Sequence, residues 1–76
     1  TSISDFMIIA SASSTRQTKA LARNIKDKMS AFGVEVVGIE GETEGEWVLV
    51  DLGDIIIHIM TPTTRAYFNL EELWSN

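Results

Sequence analysis

Three groups of residues have types and spacings that could do chemistry. The first is the run Ser11-Ala12-Ser13-Ser14-Thr15-Arg16. Hydroxyls and a guanidinium at a strand-to-helix turn can hold phosphate, because the free amides of a helix N-terminus point at an anion. This turn has no glycine, so it matches neither a P-loop nor a dinucleotide fingerprint. Serines that cap the helix explain the same composition. The second candidate is His58, the single histidine in a chain without cysteine. No serine or cysteine nucleophile is placed for it to activate, and Trp47 as a cross-strand neighbour predicts a packed or hydrogen-bonded imidazole. The third is Asp51 and Asp54 with the Glu40–Glu46 run. Calcium loops need ligands at defined spacing, and this segment does not fit the EF-hand pattern. A carboxylate pair for glycoside hydrolysis needs a cleft between its members, and so short a chain offers no separate element to form one. The expectation is a domain without catalysis, cofactor or metal. A nucleotide- or phosphate-binding domain built on Ser13–Arg16 is the alternative.

The remaining concentration of chemistry suits recognition. Arg65-Ala-Tyr-Phe-Asn-Leu-Glu-Glu-Leu-Trp74 carries three aromatics in ten residues beside an arginine. Tyr, Trp and Arg are the types most enriched in interface hot spots. Some of these rings are expected to seal the helix onto the sheet and others to face a partner. Charge adds a preference. The net charge of −5 argues against binding DNA or RNA by phosphate neutralisation. Five of the six basic residues lie between positions 16 and 28, and six of the eleven acids between 40 and 54. The acidic cluster would repel RNA and favour a basic protein partner. A solvated acidic loop explains it equally well.

Positioning these residues requires a fold of the α/β class, a single small domain with a mixed sheet in the order β-α-β-β-β-α. Phe6 to Ala10 is a continuous apolar run, suited to a strand buried on both faces. Thr18, Leu21, Ala22, Ile25, Met29 and Phe32 recur at helical spacing and form one stripe, and Gly33 ends that helix. Val34 to Ile39 reads as a second strand, parallel to the first in a βαβ unit. Trp47–Val50 and Ile55–Met60 form a hairpin. A Leu52-Gly53 loop would set Asp51 opposite Asp54, Leu49 opposite Ile56 and Trp47 opposite His58. Val48, Val50, Ile55 and Ile57 would then form the core face, leaving a mixed face of Trp47, Leu49, Asp51, Asp54, Ile56 and His58. Thr61-Pro62 opens a last helix, expected to run to about Leu70 or Trp74. No apolar run approaches the ~20 residues that cross a bilayer. The chain opens on Thr1, which points to a piece, residues 1–76, of a longer natural protein.

Several of these segments together resemble one family. Gly38-Ile-Glu-Gly41, Trp47-Val-Leu-Val-Asp-Leu-Gly-Asp54, His58 and the ending Arg65…Tyr67-Phe68…Leu70-Glu71…Leu73-Trp74 closely resemble the ribosomal silencing factors, also called Iojap or RsfS. Ser4-Asp5-Phe6-Met7-Ile8-Ile9 and Ser13-Ser14…Arg16 resemble them too. The resemblance implies binding to the large ribosomal subunit through ribosomal protein uL14, a block on subunit joining, and repression of translation under nutrient limitation. It implies a role in large-subunit biogenesis for organellar relatives. The implied fold is similar to nucleotidyltransferases, but the Ser13-Ser14 loop lacks the glycine and paired carboxylates that such an enzyme needs. By position, the partner-facing residues would be Trp47, Asp51, Leu52, Asp54, Arg65, Tyr67 and Phe68. The family's N-terminal helix and strand are missing ahead of Ser4, which leaves a sheet neighbour and part of the helical cover unaccounted for. A bacterial cytoplasm is the expected location, with mitochondrion or plastid as alternatives. Monomer and homodimer both stay open.

Overall fold

The structure is a computed structural model and describes residues 5–70. Its elements follow the expected order: β1 (Phe6–Ser11), α1 (Thr15–Ala31), β2 (Gly38–Glu40), β3 (Trp47–Asp51), β4 (Ile55–Met60) and α2 (Pro62–Phe68). The α1 helix begins where its sequence supplies a cap. Ser14 is extended, and its hydroxyl accepts the Gln17 N–H at 3.2 Å. It ends at Phe32 and Gly33. The N–H of Val34 returns to Met29 and that of Gly33 to Ser30, with Gly33 at φ +82°. These two bonds form a Schellman motif, which glycine accommodates without a Cβ clash.

The sheet is mixed, in the order β1-β4-β3-β2. The β1 and β4 strands pair in parallel, while β3 is antiparallel to both β4 and β2. It follows that β2 runs in the same direction as β1. The parallel sense of the βαβ unit is therefore as expected, but its strands are not neighbours, because the hairpin lies between them. The second strand is also shorter than its valines suggest. The amide of Val34 belongs to the helix cap, and ladder pairing starts only where the Val37 N–H reaches the Asp51 carbonyl. Val37 is 63% exposed.

Helix α1 covers β3 and β4 on one face. Val48, Val50, Ile57 and Ile59 meet Ala22 there, and Leu21, Ile25, Ile39 and Ile55 pack around them. Each of those buried β-branched side chains stabilises the fold by about 1.5–3 kcal/mol. The expected core face is thus the observed one, extended by Ile59. The expected helix stripe is correct from Thr18 to Met29 and fails at its end. Phe32, at the helix C-cap, is 82% exposed.

Two further expectations are corrected. The β1 strand is not buried on both faces: none of its residues is fully buried, and among the described residues it is an edge strand that pairs with β4 alone. Its register sets Phe6 and Ile8 beside Ile55 and Ile57, and Phe6 is 64% and Ile8 47% exposed. The hairpin register is shifted by two residues. Asp51 faces Ile56, Leu49 faces His58 and Trp47 faces Met60. The Leu52 N–H donates to the Ile55 carbonyl, so the two-residue loop is Gly53-Asp54. Gly53, at φ +92°, supplies the positive φ that a type II′ turn requires at its first position. Asp51 Oδ1 accepts the Gly53 N–H at 2.8 Å and braces the turn. A shift of two preserves which face each side chain occupies, so the core prediction survives while the Asp51–Asp54 opposition does not. Helix α2 begins after Thr61 with Pro62 at its first turn, as expected, and stops at Phe68. Asn69 takes a left-handed conformation there, and its N–H caps the Arg65 carbonyl. Trp74 lies outside the described residues.

Candidate aromatic binding site

Trp47 opens β3, and its placement depends on the loop before it. Gly41 sits at φ +86°, and a Cβ there would overlap the Trp47 carbonyl oxygen and lie 3.2 Å from its carbon. The chain can fold back this tightly only with glycine at that position. The loop has no ladder of its own and is fastened to α1. The Thr18 hydroxyl, fully buried, donates toward the Gly45 carbonyl, with the Thr15 carbonyl 2.7 Å away as a second acceptor. Lys19 Nζ donates to the Thr43 carbonyl at 3.2 Å, and Arg23 pairs with Glu42 at 2.9 Å. On its other flank the Glu46 carbonyl accepts the Thr61 N–H at 3.0 Å, which fixes the loop beside the start of α2. Thr18→Val removes the buried donor while keeping the shape. It is expected to cost about 1–3 kcal/mol, read from urea unfolding.

The rings meet in this frame. Trp47 lies 4.8 Å from Phe68 between ring centroids, and Phe68 lies 5.0 Å from Tyr67 in an edge-on arrangement. Such tilted pairs are favourable beyond the area they bury. Tyr67 is 82% exposed and Phe68 45% exposed, so the row opens to solvent. Trp47 Nε1 donates to His58 Nδ1 at 3.0 Å, although the two residues are diagonal rather than opposite. Burial pushes the His58 pKa below its ordinary value of 6.5. Beside the rings, Gly41, Thr43, Glu44, Glu46, Thr64, Trp47 and Phe68 line a groove of ≈ 470 Å³ with an aromatic side and an acidic side.

The seven residues expected to face a partner fall into two groups. Trp47, Tyr67 and Phe68 come together, with Arg65 on the same short helix, where its Nη1 donates to Ser11 Oγ at 3.0 Å. Asp51, Leu52 and Asp54 sit at the opposite end of the hairpin, about 13 Å away along a strand that rises ~3.3 Å per residue. Leu52 is half-buried against the core cluster, and the Asp54 carbonyl accepts the Phe6 N–H. The acidic cluster noted in the sequence supplies Glu44 and Glu46 as one wall of the groove; sequence reasoning missed the groove itself and the role of Lys19 and Arg23 in holding the loop. The matching basic and acidic blocks in one short chain were the available signal for the second. At the serine turn, Ser14 caps α1 and both the N–H and the hydroxyl of Ser13 donate to Gln17 Oε1. Those hydroxyls serve the helix start. Among the described residues no group of three or more His, Asp or Glu side chains could hold a metal ion.

Comparison with known proteins agrees with this architecture. A family model described as "Ribosomal silencing factor during starvation" matches residues 1–76. The ribosomal silencing factor RsfS of Chromobacterium violaceum is 49% identical over 74 residues, which cover 97% of this chain and 61% of that protein. RsfS of Bacillus subtilis is 42% identical over 74 residues, covering 97% and 63%. The chloroplastic Iojap protein of Zea mays is 36% identical over 72 residues, covering 93% and 31%. A crystal structure of a Chromobacterium violaceum protein superimposes with a TM-score of 0.90 at 47% identity, covering 97% of this chain and 63% of that one. The chain thus spans about three fifths of the length of these bacterial relatives. With the full-length match to the family model and identities near one half, the chain belongs to the ribosomal silencing factor family.

Proposed function

We propose that this domain binds the large ribosomal subunit through ribosomal protein uL14 and blocks joining of the small subunit by occupying that surface. The observation that carries the reading is the solvent-open row Trp47–Phe68–Tyr67 beside an acidic groove. Aromatic anchors rimmed by charge are the composition of a protein interface, and the carboxylates of Glu44 and Glu46 suit a basic partner such as a ribosomal protein. Occlusion needs affinity and shape but no bond-making step. The proposed setting is a bacterial cytoplasm. The RsfS relatives described above are bacterial, with a chloroplastic relative beside them. No helix among the described residues is long and apolar enough to cross a membrane.

Sedimentation of the full-length protein with purified subunits tests the reading. Co-migration with large subunits and loss of joined ribosomes are expected. Joined ribosomes forming at an undiminished level would overturn it. Because Arg23 already occupies Glu42, the electrostatic part rests on Glu44 and Glu46. Glu44→Gln/Glu46→Gln is expected to lower the association rate about tenfold at low salt and little at high salt, measured by stopped-flow. An equal loss at both salt concentrations would argue against steering.

A further inference from the structure

His58 is half-buried, its ring 5.9 Å from that of Trp47 between centroids, and it does not line the groove. Its ring accepts a hydrogen bond from the Trp47 indole N–H, 3.0 Å from Nδ1. An indole nitrogen only donates. Nδ1 must therefore carry a lone pair, and the proton of the neutral ring must be on Nε2. An imidazolium has N–H groups on both nitrogens, so donor would face donor and this contact could not persist. We propose that His58 is a positioning residue for the binding site: its neutral imidazole holds the Trp47 indole against Phe68, and protonation releases that ring and weakens partner binding. The proposal deepens the reading above, since it assumes that Trp47 meets the partner.

The surroundings of His58 fix the direction of the response. Across β3 it faces Leu49, flanked by Trp47 and by Asp51, whose Oδ1 is occupied by the Gly53 N–H. Glu40 on β2 lies opposite Leu49. Across β1 it faces Ile9, flanked by Met7 and by Ser11, which holds the Arg65 guanidinium of α2. Glu46 immediately precedes Trp47, and the cations of α1 belong to the other face of the sheet. Asp51, Glu40 and Glu46 favour the charged ring, and Arg65 opposes it. Burial prevails and places the His58 pKa below 6.5. The unfolded chain therefore binds the proton first as pH falls, so both stability and the Trp47 contact are complete above pH 6.5 and are lost progressively below it.

The test uses the full-length protein, labelled with nitrogen-15. The Trp47 indole N–H resonance, assigned from a Trp47→Phe sample, is followed from about pH 7.5 to 5.0 alongside binding to large subunits. In the wild type the resonance should move as His58 titrates below pH 6.5, and affinity should fall about fivefold, the effect of one net hydrogen bond. His58→Asn places an amide oxygen near the position of Nδ1 and does not titrate. It should bind like the wild type at neutral pH and remove the pH dependence. His58→Leu should bind about fivefold more weakly at every pH. An indole resonance that ignores the titration of His58, or a pH dependence that survives in His58→Asn, would overturn the proposal. The resonance is read without partner, so its failure is distinct from failure of the protein to bind subunits at all. Dispersed backbone amide signals across the pH range distinguish ring release from unfolding.

Discussion

Trp47→Ala is expected to weaken the proposed binding to the large subunit by about 2–4 kcal/mol, roughly 30- to 1000-fold in Kd, as for a central aromatic anchor. Three features support so large a figure. The indole sits at the inner end of the exposed row, it touches Phe68, and it walls the acidic groove. Trp47→Phe keeps an aromatic face but loses the donor to His58, and an intermediate loss is expected. The fold should tolerate both changes, because Trp47 belongs to the face opposite Val48, Val50, Ile57 and Ile59. Circular dichroism checks that point, and equilibrium titration with large subunits reads the effect. Asp54→Asn at the far end of the hairpin provides the contrast, with an expected change of about threefold or less. If Asp54→Asn weakens binding more than Trp47→Ala, the interface is centred on the hairpin turn and not on the rings.

Gly41→Ala destabilises the folded state by about 2–4 kcal/mol. Two costs combine here. A residue with a Cβ is strained at φ +86°, and the new atom would overlap the carbonyl of Trp47, which is backbone and cannot rotate aside. Gly53→Ala separates the two contributions. Gly53 has φ +92°, but nothing lies within 4 Å of its Cβ position, so only the conformational cost of about 1–2 kcal/mol applies. Urea unfolding of the pair measures the difference. Equal losses at Gly41 and Gly53 would show that the loop moves aside freely, and that Trp47 is not held by it. For a domain of this size the larger loss is a considerable share of the total stability.

The comparison of expectation with structure turns on what local patterns encode. Alternation of β-branched residues in Trp47–Val50 and Ile55–Met60 assigns faces, and faces repeat every two residues. It could therefore place Val48, Val50 and Ile57 in the core without fixing the register. The register depends on whether Gly53 stands first or second in the turn, and glycine tolerates either place. The continuous apolar run of β1 suggests burial on both faces, yet Phe6 and Ile8 are exposed and, among the described residues, the strand lies at the sheet edge. Val34 illustrates competition for one backbone, since the cap of α1 takes the amide that a longer β2 would use. For the site, residue type alone drew attention to Trp47, Tyr67 and Phe68, and the fold brings them together. Asp51 and Asp54 were singled out by their charge on the mixed hairpin face as well as by family position, and Leu52 by family position alone. Their distance from the rings is a property of the turn, which no composition argument reaches.

The loop from Gly41 to Glu46 has a kinetic consequence. It has no ladder of its own, yet Thr18, Lys19 and Arg23 on one side and the Thr61 amide on the other hold it in one shape. Its conformational entropy is thus given up when the domain folds, before any partner arrives. The proposed association would then require little further ordering of this segment, and its on-rate is expected to follow diffusion and orientation instead of loop closure. The same fastening makes the segment a reporter. Its amides should exchange with solvent only through openings that also disturb the N-terminal half of α1, so the loop and that helix are expected to behave as one cooperative unit.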